Sequence, residues 1–277
     1  MLKAVSFDLW FTIFQSPKSY DDRMDRYRIS RVYQTFKPLK IFPNKTAFLA
    51  RYHECTAKFG QMREQDGGID FSNDYQIGII VDCLIHGSPI ENAWKSDPNA
   101  RSEMINALRK PYAEPLLRFL PKLAPHIRHA LTYCKQQGLK TILISNTGRT
   151  PGRVIRQVLI RYKLLSLFDF VLFSDEIALS KPNPKIFEYA LSQLQISPGE
   201  CLHIGDILHL DIWGPEHIGM KAALYTGLLH INHYHRPKIL NELEKKPPKY
   251  VIGDFSEMAD LLTAISNDES WHTPRKW

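Results

Sequence analysis

The chain has 277 residues and a mass of 32.1 kDa, enough for one large domain or two modest ones. Its 44% hydrophobic and 23% charged residues are those of an ordinary globular protein, and no run approaches the roughly eighteen apolar residues of a membrane span. The net charge of +7 fits nucleic acid or a small anionic substrate equally well, and because the basic residues are dispersed, the densest group being 244–249, the small substrate is the preferred reading.

The opening stretch MLKAVSFDLWFTIF predicts a buried strand over Lys3–Phe7 that ends abruptly in Asp8, with apolar residues resuming at Leu9. A carboxylate there is costly unless it caps a turn or has chemistry to do. The apolar start is too short for a signal peptide and is interrupted by Asp8, and the cysteines Cys55, Cys83, Cys134 and Cys201 have no metal-ligand spacing. Free thiols in a reducing, cytoplasmic setting are therefore expected.

From Gln15 to Pro111 the pattern turns helical. The spacing predicts helices over Asp21–Phe36 and over Thr46–Met62, with Asn44 as the cap of the second and Gly67-Gly68 as its break; the apolar run Tyr75–Ile85 fits strand or helix and is read as helix because no alternating strand partner lies nearby. Helical spacing continues over Glu103–Leu108 and is expected to end at Pro111. Beyond Pro115 strands and helices alternate. A helix over Leu123–Gln137 stops at Gly138; strand Thr141–Ile144 opens onto Ser145-Asn146-Thr147-Gly148; a helix over Pro151–Arg161 has Pro151 in its first turn. Strand Phe170–Phe173 is followed by Lys181-Pro182-Asn183-Pro184 and a helix over Lys185–Leu194. Strand Cys201–Ile204 runs into Gly205-Asp206, a helix runs from about Asp211 to Ile218, and Lys221–Tyr225 is a further strand. The stretch Gly227–Lys249, with His230, His233 and His235, reads as a solvated loop, because HxxHxH without a nearby carboxylate or Cys is a weak metal signature. Val251–Asp254 is a last edge strand, Phe255–Leu262 a helix capped by Ser256, and the tail from Ser266 is either loose or packed through Trp271 and Trp277. Such repeats predict an α/β fold with a parallel sheet and right-handed crossovers.

In an open parallel sheet, ligands lie beyond the carboxyl ends of the strands. Asp8, Ser145-Asn146, Lys181, and Asp206 with Asp211 all fall at such ends. Singly they have plain structural explanations: a turn residue, an N-cap, a surface charge, a helix cap. Together, three carboxylates at one sheet edge need a cation, and hard oxygen ligands select Mg²⁺. A lysine and a hydroxyl beside them suit phosphoryl oxygens.

Over essentially its whole length the sequence resembles the haloacid dehalogenase-like (HAD) superfamily. Asp8 in FDLWFT matches the first motif, Ser145 in ILISNTG the second, Lys181 in SKPNPKIFEYA the third, and Asp206 and Asp211 in HIGDILHLD the fourth. The resemblance implies a Rossmann-like core, 1–14 and 112–265, an inserted helical cap, 15–111, and a C-terminal tail, 266–277. It also implies that Asp8 is a nucleophile forming an aspartyl-phosphate on a small phosphorylated substrate. Ser145, Asn146 and Lys181 would bind the phosphoryl group, and Asp8, the Trp10 carbonyl, Asp206 and Asp211 would hold Mg²⁺. One position departs from the pattern. Phosphatases of this family place a general-acid Asp two residues after the nucleophile, where this chain has Trp10, whose indole N–H does not exchange protons at neutral pH. Acid–base help is worth roughly 10²–10⁴-fold, so weak or selective phosphohydrolysis is expected. An aromatic there also resembles the family's metal-independent 2-haloacid dehalogenases, whose last motif is altered, whereas Asp206 and Asp211 here keep the metal-binding form. A non-enzymatic metal-binding or regulatory module is the third alternative.

Overall fold

The computed structural model describes residues 1–65, 70–245 and 247–272. Among these residues, seven parallel strands form one sheet: β1 (Ala4–Phe7), β2 (Lys140–Ser145), β3 (Phe170–Phe173), β4 (Cys201–Gly205), β5 (Lys221–Tyr225), β6 (Tyr250–Ile252) and β7 (Trp271–His272), in the spatial order β3-β2-β1-β4-β5-β6-β7. The chain steps from β1 out through β2 to β3, then returns to the other side of β1 and continues outward from β4. This reversal leaves a crevice at the end of β1, between strands running in the same direction.

The central strands β1 and β4 are wholly buried, and strand alternation sorts side chains between two helical layers. Val5, Phe7, Leu143, Leu202, Ile204 and Ala223 pack on one face against the helices Ile127–Gln136, Gly152–Arg161 and Met258–Ser266. Ala4, Ile142, Ile144 and Cys201 face the other side, against the helix Pro184–Ser192. Ser6 and His203, adjacent in register, are the polar pair on that second face, and both are fully buried.

Between β1 and β2 the chain folds into helices α1 (Lys18–Phe36), α2 (Lys45–Gln65), α3 (Asn73–Ile85), α4 (Glu91–Ser96) and α5 (Pro98–Ala113). They carry their own apolar core, including Val32, Phe36, Phe48, Ile80, Val81 and Leu84. The starts of these helices are written in local chemistry. The Asn44 Oδ1 accepts from the Ala47 N–H at 2.9 Å, and Asp97 accepts from Asn99 and Ala100 ahead of a helix that begins with Pro98. An α/β parallel-sheet core with a helical cap, as the sequence predicts, is thus present.

Several local expectations are corrected. Pro111 lies inside α5 rather than ending it; near the C-terminal end it removes a single ladder bond, and the Glu114 N–H still reaches the Lys110 carbonyl at 2.8 Å. Cys55 and Cys83, expected as free thiols, are joined as a disulfide between α2 and α3, while Cys134 and Cys201 are free and buried. The stretch read as a loop contains the helix Arg236–Lys245, which seals Ile239 against Leu224 and Val251. The strand after it is not an edge, because β7 pairs with β6 and draws part of the tail into the sheet. The following helix is capped by Asp254, which accepts from the Ser256 N–H at 2.7 Å, rather than by the Ser256 side chain. Gly67, Gly68 and Trp277 lie outside the described residues. No helix among the described residues is long and apolar enough to cross a membrane.

Candidate active site

The expected site residues meet at the carboxyl end of the sheet. Asp8 follows β1 and Asp206 follows β4, and their strands are neighbours, so the pairing itself sets the two carboxylates side by side. Asp211 returns to the same edge from a π-helical turn, Leu208–Trp213. One oxygen from each of the three carboxylates lies within 4.8 Å of the others, and all three residues are buried. The approach is possible only because residue 205 is glycine: a Cβ there would sit 2.3 Å from the Asp211 Cγ.

Lys181 enters from the loop after β3. Its buried Nζ donates to Asp8 Oδ1 and to Asp211 Oδ1, each at 2.6 Å. The loop is fixed at both ends of its lysine by Asn146, whose amide donates to the Lys181 carbonyl at 2.9 Å and accepts from the Lys181 N–H at 2.7 Å. Asn146, expected at the phosphoryl group, therefore holds the lysine with both ends of its amide. The Ser145 hydroxyl, fully buried at the end of β2, donates to the carbonyl of Asn146 at the long distance of 3.3 Å.

One cation among three buried carboxylates leaves the site short of positive charge. Burial pushes the Asp8 carboxyl up to about 6, with Asp211 adding to the rise and Lys181 opposing it. Burial, then the charges of Asp8 and Asp211, hold Asp206 well above the usual carboxylate range. Burial acts on Asp211 in the same direction, but the Lys181 charge and the His203 hydrogen bond overcome it and hold that carboxyl below its ordinary value. Three oxygen ligands, two of whose carboxyls are held above their ordinary range for want of a counter-charge, fit a small divalent cation such as Mg²⁺.

Two residues of this site are missed by sequence reasoning. His203 is wholly buried, with Nδ1 2.8 Å from the Ser6 hydroxyl and Nε2 3.2 Å from Asp211 Oδ1. A carboxylate oxygen only accepts, so the hydrogen sits on Nε2 and Ser6 donates to Nδ1. The neutral ring, kept so by burial, thereby fixes the orientation of Asp211. Asn232, in the stretch after β5, donates to Asp206 Oδ2 at 2.6 Å. Ser6 and His203 read as alternating strand positions, and Asn232 lies 26 residues beyond its partner, so only the fold unites them.

The cap is tied to the same loops. Asp70, buried between α2 and α3, accepts from the hydroxyls of Thr147 and Ser174, and Ser174 in turn accepts from the Thr147 N–H at 2.7 Å. Asp25 on α1 accepts from Arg28 at 2.5 Å and from Arg149 at 2.8 Å, bridging the cap to the loop after β2. Between these ties lies a cavity of about 440 Å³ whose walls include Trp10, Phe11, Asn146, Thr147, Arg149 and His235. Trp10 is half-buried, edge-on to Phe14 at 5.8 Å, and forms part of the cavity wall.

Comparisons with known proteins point to one family. Residues 2–219 match the family described as haloacid dehalogenase-like hydrolase. The glyceraldehyde 3-phosphate phosphatase of Pyrococcus furiosus is 31% identical over 140 residues, 50% of this chain and 53% of that protein. The N-acylneuraminate-9-phosphatase of Homo sapiens is 27% identical over 151 residues, 54% of this chain and 56% of that protein. The chain therefore spans little more than half the length of these relatives. Among solved structures, a 2-haloacid dehalogenase from Pseudomonas syringae pv. Tomato DC3000 superposes with a TM-score of 0.66 at 16% identity, covering 96% of this chain and 100% of that one. A HAD phosphatase from Thermococcus onnurineus gives 0.57 at 23% identity, covering 97% and 100%. At these identities the structural likeness is one of fold alone, whereas the sequence match extends over most of the chain. The chain belongs to the haloacid dehalogenase-like hydrolase family.

Proposed function

We propose that this protein is a Mg²⁺-dependent phosphohydrolase that acts on a small phosphorylated substrate through an aspartyl-phosphate on Asp8. The observation that carries the proposal is the joined cluster of Asp8, Asp206 and Asp211 with Lys181 bonded to two of them at 2.6 Å. Asp8, Asp206, Asp211 and the Trp10 carbonyl would hold the cation, which when bound supplies charge neutralisation at the transferring phosphoryl group. Asp8 attacks phosphorus and the leaving oxygen departs; water then cleaves the acyl phosphate. Lys181, held by Asn146, and the Ser145 hydroxyl bind the phosphoryl oxygens and stabilise charge as it moves. In this proposal residues 1–14 and 112–265 form the catalytic core and 15–111 the cap that closes over the substrate. Two of the relatives are named for phosphorylated small molecules, which is consistent with that substrate class.

Trp10 stands where a phosphatase of this family carries its proton donor, and an indole cannot play that part. Substrates whose leaving group departs without protonation, aryl and acyl phosphates, lose least. The aromatic at position 10 favours a second reading, dehalogenation of 2-haloacids, but the intact three-carboxylate cluster weighs against it. The experiment is phosphate release from 4-nitrophenyl phosphate with and without Mg²⁺, beside halide release from 2-haloacids without metal. Metal-dependent phosphate release lost in Asp8→Asn supports the proposal. Halide release alone would move the assignment to dehalogenation, and neither activity, with Mg²⁺ still bound, would make the protein a binding module.

A further inference from the structure

The stretch 230–235, His-Ile-Asn-His-Tyr-His, was legible in the sequence only as a surface loop, yet it folds back onto the site. Asn232 is its anchor: the amide donates to Asp206 at 2.6 Å, and the amide oxygen accepts from the His235 N–H at 3.0 Å. The main chain of His235 is thus two hydrogen bonds from a carboxylate of the acidic cluster. It is held from the other side as well, because the His235 carbonyl accepts from Ile239 at the start of the helix Arg236–Lys245. The neighbouring side chains are otherwise engaged. His233 lies 3.6 Å from Asp21 of α1, and the rings of His233 and Tyr234 pack edge-on to Phe11. His230 is exposed to solvent. Of the three histidines, His235 is the one that forms part of the cavity wall, together with Trp10, Asn146 and Thr147.

We propose that His235 is the proton donor to the leaving group, supplying the step that Trp10 leaves open. The inference rests on the phosphohydrolase reading above. As the bond between phosphorus and the leaving oxygen breaks and the bond to Asp8 forms, the imidazolium gives one N–H proton to that oxygen and becomes neutral. The neutral ring then takes a proton from the water that cleaves the acyl phosphate, which restores the imidazolium, so protons balance over one turnover. The charged and titratable groups around it are Lys238 on the helix that follows, His233 in the loop, His209 and Asp211 beyond β4, and Asp21, Asp25 and Arg149, which line the same cavity. Burial, followed by Lys238, pushes the imidazole down, and Asp211 opposes them. A phosphate dianion entering the cavity adds negative charge and favours the protonated ring when the proton is needed.

The test compares wild type with His235→Gln on 4-nitrophenyl phosphate and on an alkyl phosphate such as glycerol phosphate, across pH and with Mg²⁺ present. The expected result is a loss of about 10²-fold or more in kcat/KM on the alkyl phosphate, little change on the aryl one, and disappearance of the fall in alkyl turnover toward alkaline pH. Imidazole in solution should restore part of the alkyl activity of His235→Ala, a rescue that a purely structural role would not allow. His233→Gln, in the same loop, should leave the ratio of the two activities unchanged. Equal losses on both substrates, no loss, or a wild-type enzyme wholly inactive on alkyl phosphates would overturn the assignment of His235. If wild type fails even on the aryl phosphate, or Asp8→Asn retains its activity, the phosphohydrolase reading falls first.

Discussion

Asp8→Asn should abolish turnover and at the same time make the metal-free protein more stable. Asp8 is 7% exposed, and its carboxyl is raised from an unfolded value of 3.8 to about 6, first by burial. Between these two values the folded chain binds more protons than the unfolded one, so the contribution of Asp8 to stability falls as pH rises from about 4 to about 6 and stays low above that. The deficit at neutral pH is about 3 kcal/mol, taking about 1.4 kcal/mol for each pH unit of displacement. Asparagine has the shape of the neutral acid and does not titrate, so the variant escapes that deficit. For a chain of this size the gain corresponds to a melting temperature higher by about 6–12 °C. Thermal melts of both proteins in chelator should show the variant ahead at about pH 7.5 and the two converging at about pH 4. Saturating Mg²⁺ should reverse the order, because the cation binds the intact cluster and stabilises wild type by mass action. A variant that melts at or below wild type at neutral pH in chelator would refute this account of a charge-starved site.

Two further substitutions probe how the cluster is held. Lys181→Met removes the buried cation that serves both Asp8 and Asp211, and should cost the metal-free protein about 3–5 kcal/mol; an unchanged urea midpoint would contradict it. His203→Leu frees Asp211 from the ring that orients it and should weaken Mg²⁺ binding by about 10–100-fold, read by calorimetric titration; undiminished affinity would show that Asp211 needs no such support.

The candidate site residues were legible because they sit at or after the carboxyl ends of strands, Asp8 and Asp206 directly, Ser145 as the last residue of β2, and Lys181 and Asp211 further along the connections that follow β3 and β4. Asp8, Ser145, Lys181, Asp206 and Asp211 could be assigned to one sheet edge before their distances were known. The same rule predicts the α/β core, since a run such as Phe170–Phe173 is wholly apolar and is flanked by the polar residues Asp169 and Ser174. What stayed hidden depends on contacts between distant segments. The pairing of Ser6 with His203 follows from the register of β1 on β4, and the reach of Asn232 to Asp206 depends on where the chain turns after β5. The Cys55–Cys83 link depends on how α2 packs on α3, which periodicity does not specify. The helix Arg236–Lys245 was obscured by the His, Pro and Lys around it, although its buried Ile239 gives it an inner face. The structure makes Trp10 part of the wall of the cavity between cap and core.

The most direct measurement is to quench the protein during Mg²⁺-supported turnover of an aryl phosphate and search its peptides by mass spectrometry for an added phosphoryl group. Phosphorylation confined to the carboxylate of Asp8, appearing and decaying at rates compatible with turnover, is the result this account predicts. Metal-dependent phosphate release with Asp8 never modified, or with the phosphoryl group on another residue, would contradict it.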